Sequence, residues 1–397
     1  MAFRLPIALV VAAAALIAPA AANATRVSFA MGEELASGVS PLANPPASLY
    51  YTDTRWKFGS DANESAVMDL LRDRDATVTY HLRYGRDFGP VPAGLPAPGN
   101  QPDALPSLRK LEARGIPWSA WLTVPYADGY WATEANGSQT RAAVVAFHEW
   151  AVANGLHPIA VSLDLEASAA DTKTFGRAFR DPLRAATTML GNLSPRRQCA
   201  AARFYRDEVV GWLKQRGYAV VAAAYPYVLD DLRDRDLALS DAMNLPLAFP
   251  GEFDTIGFMS MRTVFTEGGL PDPGRTLQSS YGADATRYYG PDAELILGVP
   301  GVGPYGGPNG RNALRQDIRT AAAVTRGGIG LYSVETVYRA YGGLDAVGEM
   351  LDAGEDPLPG AATARTAPAA QLARGAFQAL DAVLGGFTRP NRWPPAC

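Results

Sequence analysis

Eight short apolar segments recur along this chain, at a mean spacing of about 43 residues. Continuous apolar runs of this length are typical of parallel strands that are covered on both faces. The spacing leaves room for one helix between each strand and the next, which is the repeat of a parallel sheet. The predicted strands are Val27–Met31, Thr77–His81, Trp118–Val124, Ile159–Glu166, Ala219–Tyr225, Thr255–Met261, Glu294–Val299 and Ile329–Val334.

Helical patterns lie between most of these strands, and several of them stop directly before a glycine. Glycine is common just beyond a helix because it adopts the left-handed conformation there without a steric cost. Eight strand–helix units within about 320 residues predict an α/β fold, a single-domain (β/α)8 TIM barrel. The predicted helices are Glu64–Arg74, Asp103–Arg114, Arg141–Asn154, Arg197–Arg216 and Asn312–Arg326.

A doubly wound sheet is the alternative fold for alternating strands and helices. That fold usually has about five to seven strands and often carries a glycine-rich phosphate turn after the first of them. Here the first strand is followed by the residues Met31 to Glu34, which lack the spacing G-x-G-x-x-G. The glycine-rich stretch 301–310 contains two prolines and no lysine that would bind phosphate. Both observations favour the barrel.

The first 24 residues have the pattern of a secretory signal peptide. Arg4 supplies a positive charge, Pro6–Ala18 is an apolar stretch, and Ala22 to Ala24 form a small-residue cleavage site. A membrane anchor is the alternative, although the apolar stretch is short for a span. We therefore predict a secreted or periplasmic protein that has no stable membrane insertion after the signal is removed.

We predict three parts in the chain: the signal peptide 1–24, the barrel domain 25–350, and a tail 351–397. The tail begins as a linker rich in Pro, Ala and Gly and continues as a final helix, Ala369–Leu384, packed on the outside. An oxidising compartment would permit a disulfide between Cys199 and Cys397, with free thiols as the alternative.

Charge and composition exclude several classes of function. The net charge of −4 argues against nucleic acid as a partner, since nucleic-acid binders usually carry a basic excess. Three His and two Cys residues are too few for a Cys/His zinc cluster or a haem motif. We therefore predict neither a metal nor a cofactor.

The fourth predicted strand carries the strongest indication of chemistry. In a barrel of this kind the active site lies at the C-terminal ends of the strands. This strand ends in Asp164, Leu165 and Glu166, and the period of two places Asp164 and Glu166 on the same face, with Ser162 one step below. Like charges held side by side in a low-dielectric site repel, so one acid should keep its proton near neutral pH. Glu166 would then act as general acid and Asp164 as its ionised partner, with a purely structural role as the alternative.

The segment Ile159–Glu166 resembles the fourth-strand signature of glycoside hydrolase family 18, the chitinase-like barrels, whose pattern is D-x-x-D-x-D-x-E. Asp164 and Glu166 match its last two acids, while Ile159 and Ser162 stand at the first two. The sixth strand of that family typically ends M-x-Y-D. Here Met259 matches, and Met261 and Arg262 replace the Tyr and the Asp.

The eighth strand is similar to that of the same family, and Tyr332 stands where a Trp usually forms the floor of the sugar subsite. The resemblance implies a retaining, substrate-assisted mechanism on a carbohydrate substrate, a glycan that contains amino sugars and is chitin- or peptidoglycan-like. The Glu protonates the leaving oxygen, and the 2-acetamido oxygen of the sugar attacks the anomeric carbon. Tyr225 and Tyr227, after the fifth strand, would supply the missing hydroxyl donors.

Other arrangements of carboxylates stay open. The seventh strand ends without an acid, which disfavours glycosidases that hold their nucleophile there. Glu335, after the eighth strand, would form a second pair with Glu166 if the two carboxyl groups were close enough. Family 25 lysozyme-like barrels also carry a D-x-E, but they need an Asp after the first strand, where this chain has Glu33 and Glu34.

Aromatic residues cluster in the loops that follow the strands, as in a carbohydrate cleft, because aromatic rings pack against the C–H groups of sugars. Arg83, Arg86 and Arg262 fall at the same end, where they would pair with Asp164 or Glu166 or bind an acidic sugar. A carbohydrate-binding barrel without catalysis is the competing hypothesis. The aromatic residues are Tyr80, Tyr84, Trp121, Tyr126, Tyr130, Trp131, Tyr225, Tyr227, Tyr305, Tyr332 and Tyr338.

Overall fold

The computed structural model describes residues 27–31, 58–90, 104–168, 170–172, 182–234, 237–246, 250–267 and 271–386. Its eight strands form a closed barrel in which every strand is parallel to its neighbours and follows the order of the sequence. The first strand pairs with the second on one side and with the eighth on the other, which closes the ring. The prediction of a (β/α)8 barrel is therefore confirmed.

All eight strands lie where the sequence predicts them, and their ends differ from the prediction by at most two residues. Continuous apolar runs identify these strands because one face of each strand packs on the surrounding helices while the other lines the barrel. The strands are β1 Val27–Met31, β2 Thr77–Arg83, β3 Trp118–Thr123, β4 Ala160–Leu165, β5 Ala219–Ala224, β6 Thr255–Met259, β7 Ala293–Gly298 and β8 Gly328–Tyr332.

The five helices predicted between strands are also present, four of them as single helices. The segment Arg197–Arg216 is instead divided by a wider π-type turn, Tyr205–Val210. The α-helices are Asp61–Asp73, Leu105–Ala113, Gly137–Ala153, Pro182–Asn192, Pro195–Phe204, Gly211–Lys214, Val228–Asp234, Ala238–Ala242, Arg262–Glu267, Thr276–Tyr289, Gly310–Ala322, Val334–Tyr341, Leu344–Gly354 and Pro368–Gly385.

The interior of the barrel is packed tightly around Ile296 on β7. A Cβ atom on Gly257 of β6 would lie 2.7 Å from Ile296 Cδ1, and one on Gly330 of β8 would lie 3.1 Å from Ile296 Cγ1. Both glycines therefore provide the space that the isoleucine fills. Glu294 lies two residues before Ile296 on the same face of the strand, and burial raises its pKa to about 7.

The final helix, Pro368–Gly385, packs against the two short helices that follow β5. Arg374 donates to Asp230 and, through Nη2, to Asp284 Oδ2 at 2.7 Å. Gln378 Nε2 donates to the same Asp230 carboxylate at 2.9 Å. These contacts attach the final helix to the helices Val228–Asp234 and Thr276–Tyr289, which follow β5 and β6.

Several predictions concern residues that the structure does not describe. The leader 1–24, Glu33, Glu34 and Cys397 lie outside the described residues, so the signal peptide and the Cys199–Cys397 disulfide stay predictions. The helix Leu344–Gly354 extends past residue 350, where the predicted barrel domain ends, and the division into domains likewise stays a prediction.

Among the described residues, no helix has the length and apolarity needed to cross a membrane.

Two buried carboxyl groups meet where the final helix contacts the segment after β5. Asp231 accepts from the backbone N–H of Ser240 at 2.8 Å and from its hydroxyl, while Asp381 Oδ1 accepts from Leu239 N at 3.2 Å. Both acids are at most 1% exposed. Burial first, and then the neighbouring Asp381 carboxyl, raise the pKa of Asp231 well above its ordinary value.

We predict that Asp231→Asn makes the protein more stable than the wild type as the pH rises. The pKa of Asp231 is higher in the folded protein than in the unfolded chain, where it is about 3.9. The stabilisation linked to its proton is therefore complete below that pH and is lost as the pH rises towards the folded-state pKa. The difference in the free energy of unfolding should grow by up to about 1.4 kcal/mol per pH unit, as measured by urea unfolding between pH 4 and 8.

The matched control for this prediction is Asp75→Asn. Asp75 is exposed and has a φ of 49°, a conformation that Asn adopts as readily as Asp. Its substitution should change stability by only a small amount, because the side chain is exposed. Parallel pH curves for the wild type and Asp231→Asn would contradict a raised pKa for Asp231.

Candidate functional site

Asp164 and Glu166 lie together at the C-terminal end of β4. Asp164 is the fifth residue of that strand and Glu166 follows its last residue, so their side chains share the face that also carries Ser162. Only 3% of Asp164 and 7% of Glu166 is exposed. The two carboxyl groups are therefore held in an environment that penalises charge.

Glu166 receives a hydrogen bond from Tyr225 of the neighbouring strand. The register pairs Asp164 with Ala223 and Leu165 with Ala224, so Glu166 lies beside Tyr225, the residue that follows β5. The hydroxyl of Tyr225 donates to Glu166 Oε2. Burial, followed by the charge of Glu166 and this hydrogen bond, raises the pKa of Tyr225 well above its ordinary value. The phenol therefore stays protonated and remains a donor.

The ring of Tyr225 belongs to a stack of three aromatic side chains. Its centroid lies 4.9 Å from that of Tyr227, with the planes 16° apart. Tyr227 stacks in turn on Phe377 of the final helix, at 5.0 Å and 18°. Phe377 is absent from the sequence-based site because it lies 150 residues beyond Tyr227, and nothing local distinguishes it from other apolar helix positions.

A second aromatic group is centred on Trp121 of β3. The ring of Trp121 lies 4.6 Å from His81 of β2 and 5.9 Å from Tyr332 at the end of β8. Trp121 Nε1 is buried and has no hydrogen-bond partner among the described residues. His81 Nε2 is 3.1 Å from the hydroxyl of Thr123, so its position is fixed within the barrel. The structure thus brings the predicted Trp121 and Tyr332 together.

Met261 belongs to an apolar cluster that also contains Tyr225, Tyr227 and Met259. Its sulfur lies 3.6 Å from the position that a Cβ atom on Gly298 would take. The position at which the family 18 pattern has a tyrosine is therefore part of an apolar wall here. Tyr332 packs partly buried against the same cluster.

The guanidinium of Arg262 forms ion pairs with Asp272 and Asp317. Nε donates to Asp272 Oδ1 at 2.8 Å, Nη2 donates to the other oxygen of Asp272, and Nη1 donates to Asp317 Oδ2 at 2.9 Å. Tyr305 donates to Asp317 Oδ2 as well, at 2.7 Å. The structure therefore pairs Arg262 with Asp272 and Asp317, and the suggested pairing with Asp164 or Glu166 is not found.

Glu335 lies in the first turn of the helix Val334–Tyr341, which follows β8, and it is 1% exposed. In a ring of eight strands β8 is opposite β4, so Glu335 and Glu166 are carried by opposite walls.

The other two predicted arginines have contacts of their own. Arg86 forms an ion pair with Asp87 at 2.8 Å, and the guanidinium of Arg83 lies 5.9 Å from the centroid of the Tyr130 ring. The described part of the chain holds no group of three or more His, Cys, Asp or Glu side chains arranged to bind a metal ion.

Comparison with known proteins identifies relatives of this fold by structure alone. No protein family model and no curated protein matches the sequence. A GH5_18 protein from Bifidobacterium longum subsp. infantis is similar, with a TM-score of 0.51 and 10% identity over 84% of this chain and 79% of that one.

Two further solved structures align at lower scores. The glycoside hydrolase domain of PgaB (BpsB) from Bordetella bronchiseptica has a TM-score of 0.43 and 14% identity over 81% of this chain and 96% of that one. A GH18 chitinase from Pseudoalteromonas aurantia has a TM-score of 0.39 and 12% identity over 72% and 96%. The structural neighbours thus include glycoside hydrolases of more than one family, and family 18 is not specifically favoured. The likeness to the GH5_18 protein, at 10% identity, shows a shared fold alone.

We predict that Arg262→Met lowers the free energy of unfolding by about 3–5 kcal/mol, because it leaves Asp317 as a buried carboxylate without its cation. Urea unfolding measures the loss. The double variant Arg262→Met with Asp317→Asn should recover part of the stability. If Glu166→Gln, and not Asp317→Asn, restored the stability of the Arg262→Met protein, Arg262 would pair with Glu166 instead.

Proposed function

We propose that this protein is a glycoside hydrolase in which Glu166 is the general acid. The observation that supports this role best is the hydrogen bond from Tyr225 to Glu166, at a buried carboxyl on the catalytic end of a barrel strand. Asp164 lies two residues earlier on the same face, and its charge acts on the same Tyr225 hydroxyl. The hydrogen bond from this neutral donor fixes the position of the Glu166 carboxyl group at the mouth of the barrel.

The substrate that we propose is a glycan containing amino sugars, of the chitin or peptidoglycan type. Glu166 transfers its proton to the glycosidic oxygen as the bond from that oxygen to C1 breaks, and the 2-acetamido oxygen bonds to C1. Water then attacks C1 and gives a proton to the Glu166 carboxylate while the bond from the acetamido oxygen to C1 breaks. The two displacements at C1 together leave the product with the original configuration. This route needs no carboxylate on β7, which ends at Gly298.

Two donors are available for the substrate in place of the absent tyrosine and aspartate of the sixth strand. The hydroxyl of Tyr227 and the indole Nε1 of Trp121 are buried, and neither has a hydrogen-bond partner in the described part of the chain. Buried donors of this kind lose free energy unless a ligand satisfies them. The rings of Trp121 and Tyr332 would offer the apolar surface against which a sugar packs.

A carbohydrate-binding barrel without catalysis is the second candidate. Ser162 stands where the family 18 pattern has an acid, and Met261 contributes an apolar side chain where that pattern has a tyrosine hydroxyl. Ser162 thus lacks an acid of the fourth-strand motif, and Met261 lacks a hydroxyl that would serve the 2-acetamido substituent. This candidate predicts glycan binding that is independent of the carboxyl group of Glu166.

We predict that Glu166→Gln lowers kcat by about 100- to 10,000-fold, because the amide cannot transfer a proton, while glycan affinity stays close to that of the wild type. The protein without its leader is screened against chitooligosaccharides, peptidoglycan and other defined glycans. Turnover is measured by the release of new reducing ends and binding by titration calorimetry.

Glu335→Gln is the matched control for this substitution. It should keep most of the activity if Glu166 works with the substrate's own acetamido group. Equal losses in the two variants would favour a Glu166/Glu335 pair instead. A Glu166→Gln protein that is as active as the wild type would exclude Glu166 as the acid, and binding without turnover by the wild type would favour the second candidate.

A further inference from the structure

The hydrogen bond to Glu166 is made by the tip of an aromatic ring whose plane is set by its neighbours. The hydroxyl of Tyr225 is carried at the far end of the ring, so a small rotation about the side-chain bonds displaces it from Glu166 Oε2. Tyr227 and Phe377 stack behind that ring with planes 16° and 18° apart from one to the next. Offset stacking of this kind resists rotation of each ring in the stack.

The far end of the stack is fixed by a second aromatic contact. Phe265, on the helix that follows β6, meets Phe377 edge to face, with centroids 5.9 Å apart and planes at 90°. Phe377 is therefore held between the loop that follows β5 and the helix that follows β6. The line of rings therefore runs from Tyr225, which donates to Glu166, to Phe265 on the helix Arg262–Glu267.

Polar anchors hold the final helix on both sides of Phe377. Arg374 lies three residues before it and binds Asp230 and Asp284, and Asp381 lies four residues after it and accepts from Leu239 N. Residues separated by three and four positions share one face of a helix. Phe377 therefore projects from the anchored face, and the helix that carries it cannot move away without breaking a buried ion pair or a buried hydrogen bond.

We propose that the final helix is part of the active site and that Phe377 is a positioning residue. Through Tyr227 it holds the hydroxyl of Tyr225 on Glu166. The catalytic importance of this arrangement rests on the proposed role of Glu166. The mechanical link between Phe377 and Tyr225 is a property of the resting protein and can be tested without a substrate.

The test places 3-fluorotyrosine at position 225 of the full chain by site-specific incorporation and records its 19F resonance. In the wild-type background, Glu166→Gln should shift this resonance because it replaces the carboxylate that accepts from the hydroxyl. In the Phe377→Leu background, the same substitution should produce less than half of that shift, because the two positions are coupled through the stack. Leucine keeps the apolar volume and favours a helix, but it lacks the aromatic plane.

Three further variants separate positioning from a general loss of structure. Phe377→Tyr retains the ring and should retain the full response to Glu166→Gln. Val383→Ala, on the exposed side of the same helix, should also leave the response unchanged. Tyr227→Leu interrupts the stack without altering the helix and should reduce the response as Phe377→Leu does. If Phe377→Leu fails to fold in a thermal melt, Tyr227→Leu decides the question.

A full response in Phe377→Leu or in a folded Tyr227→Leu protein would overturn the proposal. This result can be told apart from a failure of the proposed function. A coupled stack in a protein that hydrolyses no glycan would refute the function and leave the positioning intact. A verified hydrolase in which the response is the same in all variants would refute only the positioning role of Phe377.

Discussion

The closed register of the barrel is the constraint on which the site depends. Each strand is paired on both sides, so no strand can slip against one neighbour without breaking its pairing with the other. The pairing of Asp164 with Ala223 and of Leu165 with Ala224 places Glu166 beside Tyr225. A shift of one residue would turn both acids of β4 towards the helices, where they would be buried among apolar side chains.

The buried acids of this protein differ in what compensates their burial. Asp317 is paired with Arg262, and Glu134 with Arg197 at 3.0 Å, although burial still raises the pKa of Glu134 to about 8. Glu166 accepts a hydrogen bond from the neutral hydroxyl of Tyr225. A guanidinium contact lowers the pKa of a carboxyl group, whereas a neutral donor orients the group without adding a positive charge.

The sequence predicts this fold well because parallel strands are recognised from local composition, and the period of two is enough to place Asp164 and Glu166 on one face. It predicts side-chain partners less well. Arg262 occupies the position of an acid in the family 18 pattern, yet its long side chain reaches Asp272 and Asp317, two aspartates that no local pattern distinguishes from the others. The sequence does not predict the contact between Phe377 and Tyr227 either, since this contact depends on how the final helix packs.

The sequence predicts the final helix but not the surface that the helix covers. An amphipathic helix beyond a proline-rich segment is expected to cover whatever apolar surface is free, and the outside of a barrel offers most of it. The helix is present as predicted and packs on the segment after β5, where Leu384 joins the apolar cluster of Met259 and Met261, and Phe377 stacks on Tyr227. The residues that shape the surroundings of Glu166 therefore come from both the barrel and the tail. A barrel cut before this helix would keep Asp164 and Glu166 in register but would lose the ring that supports Tyr227.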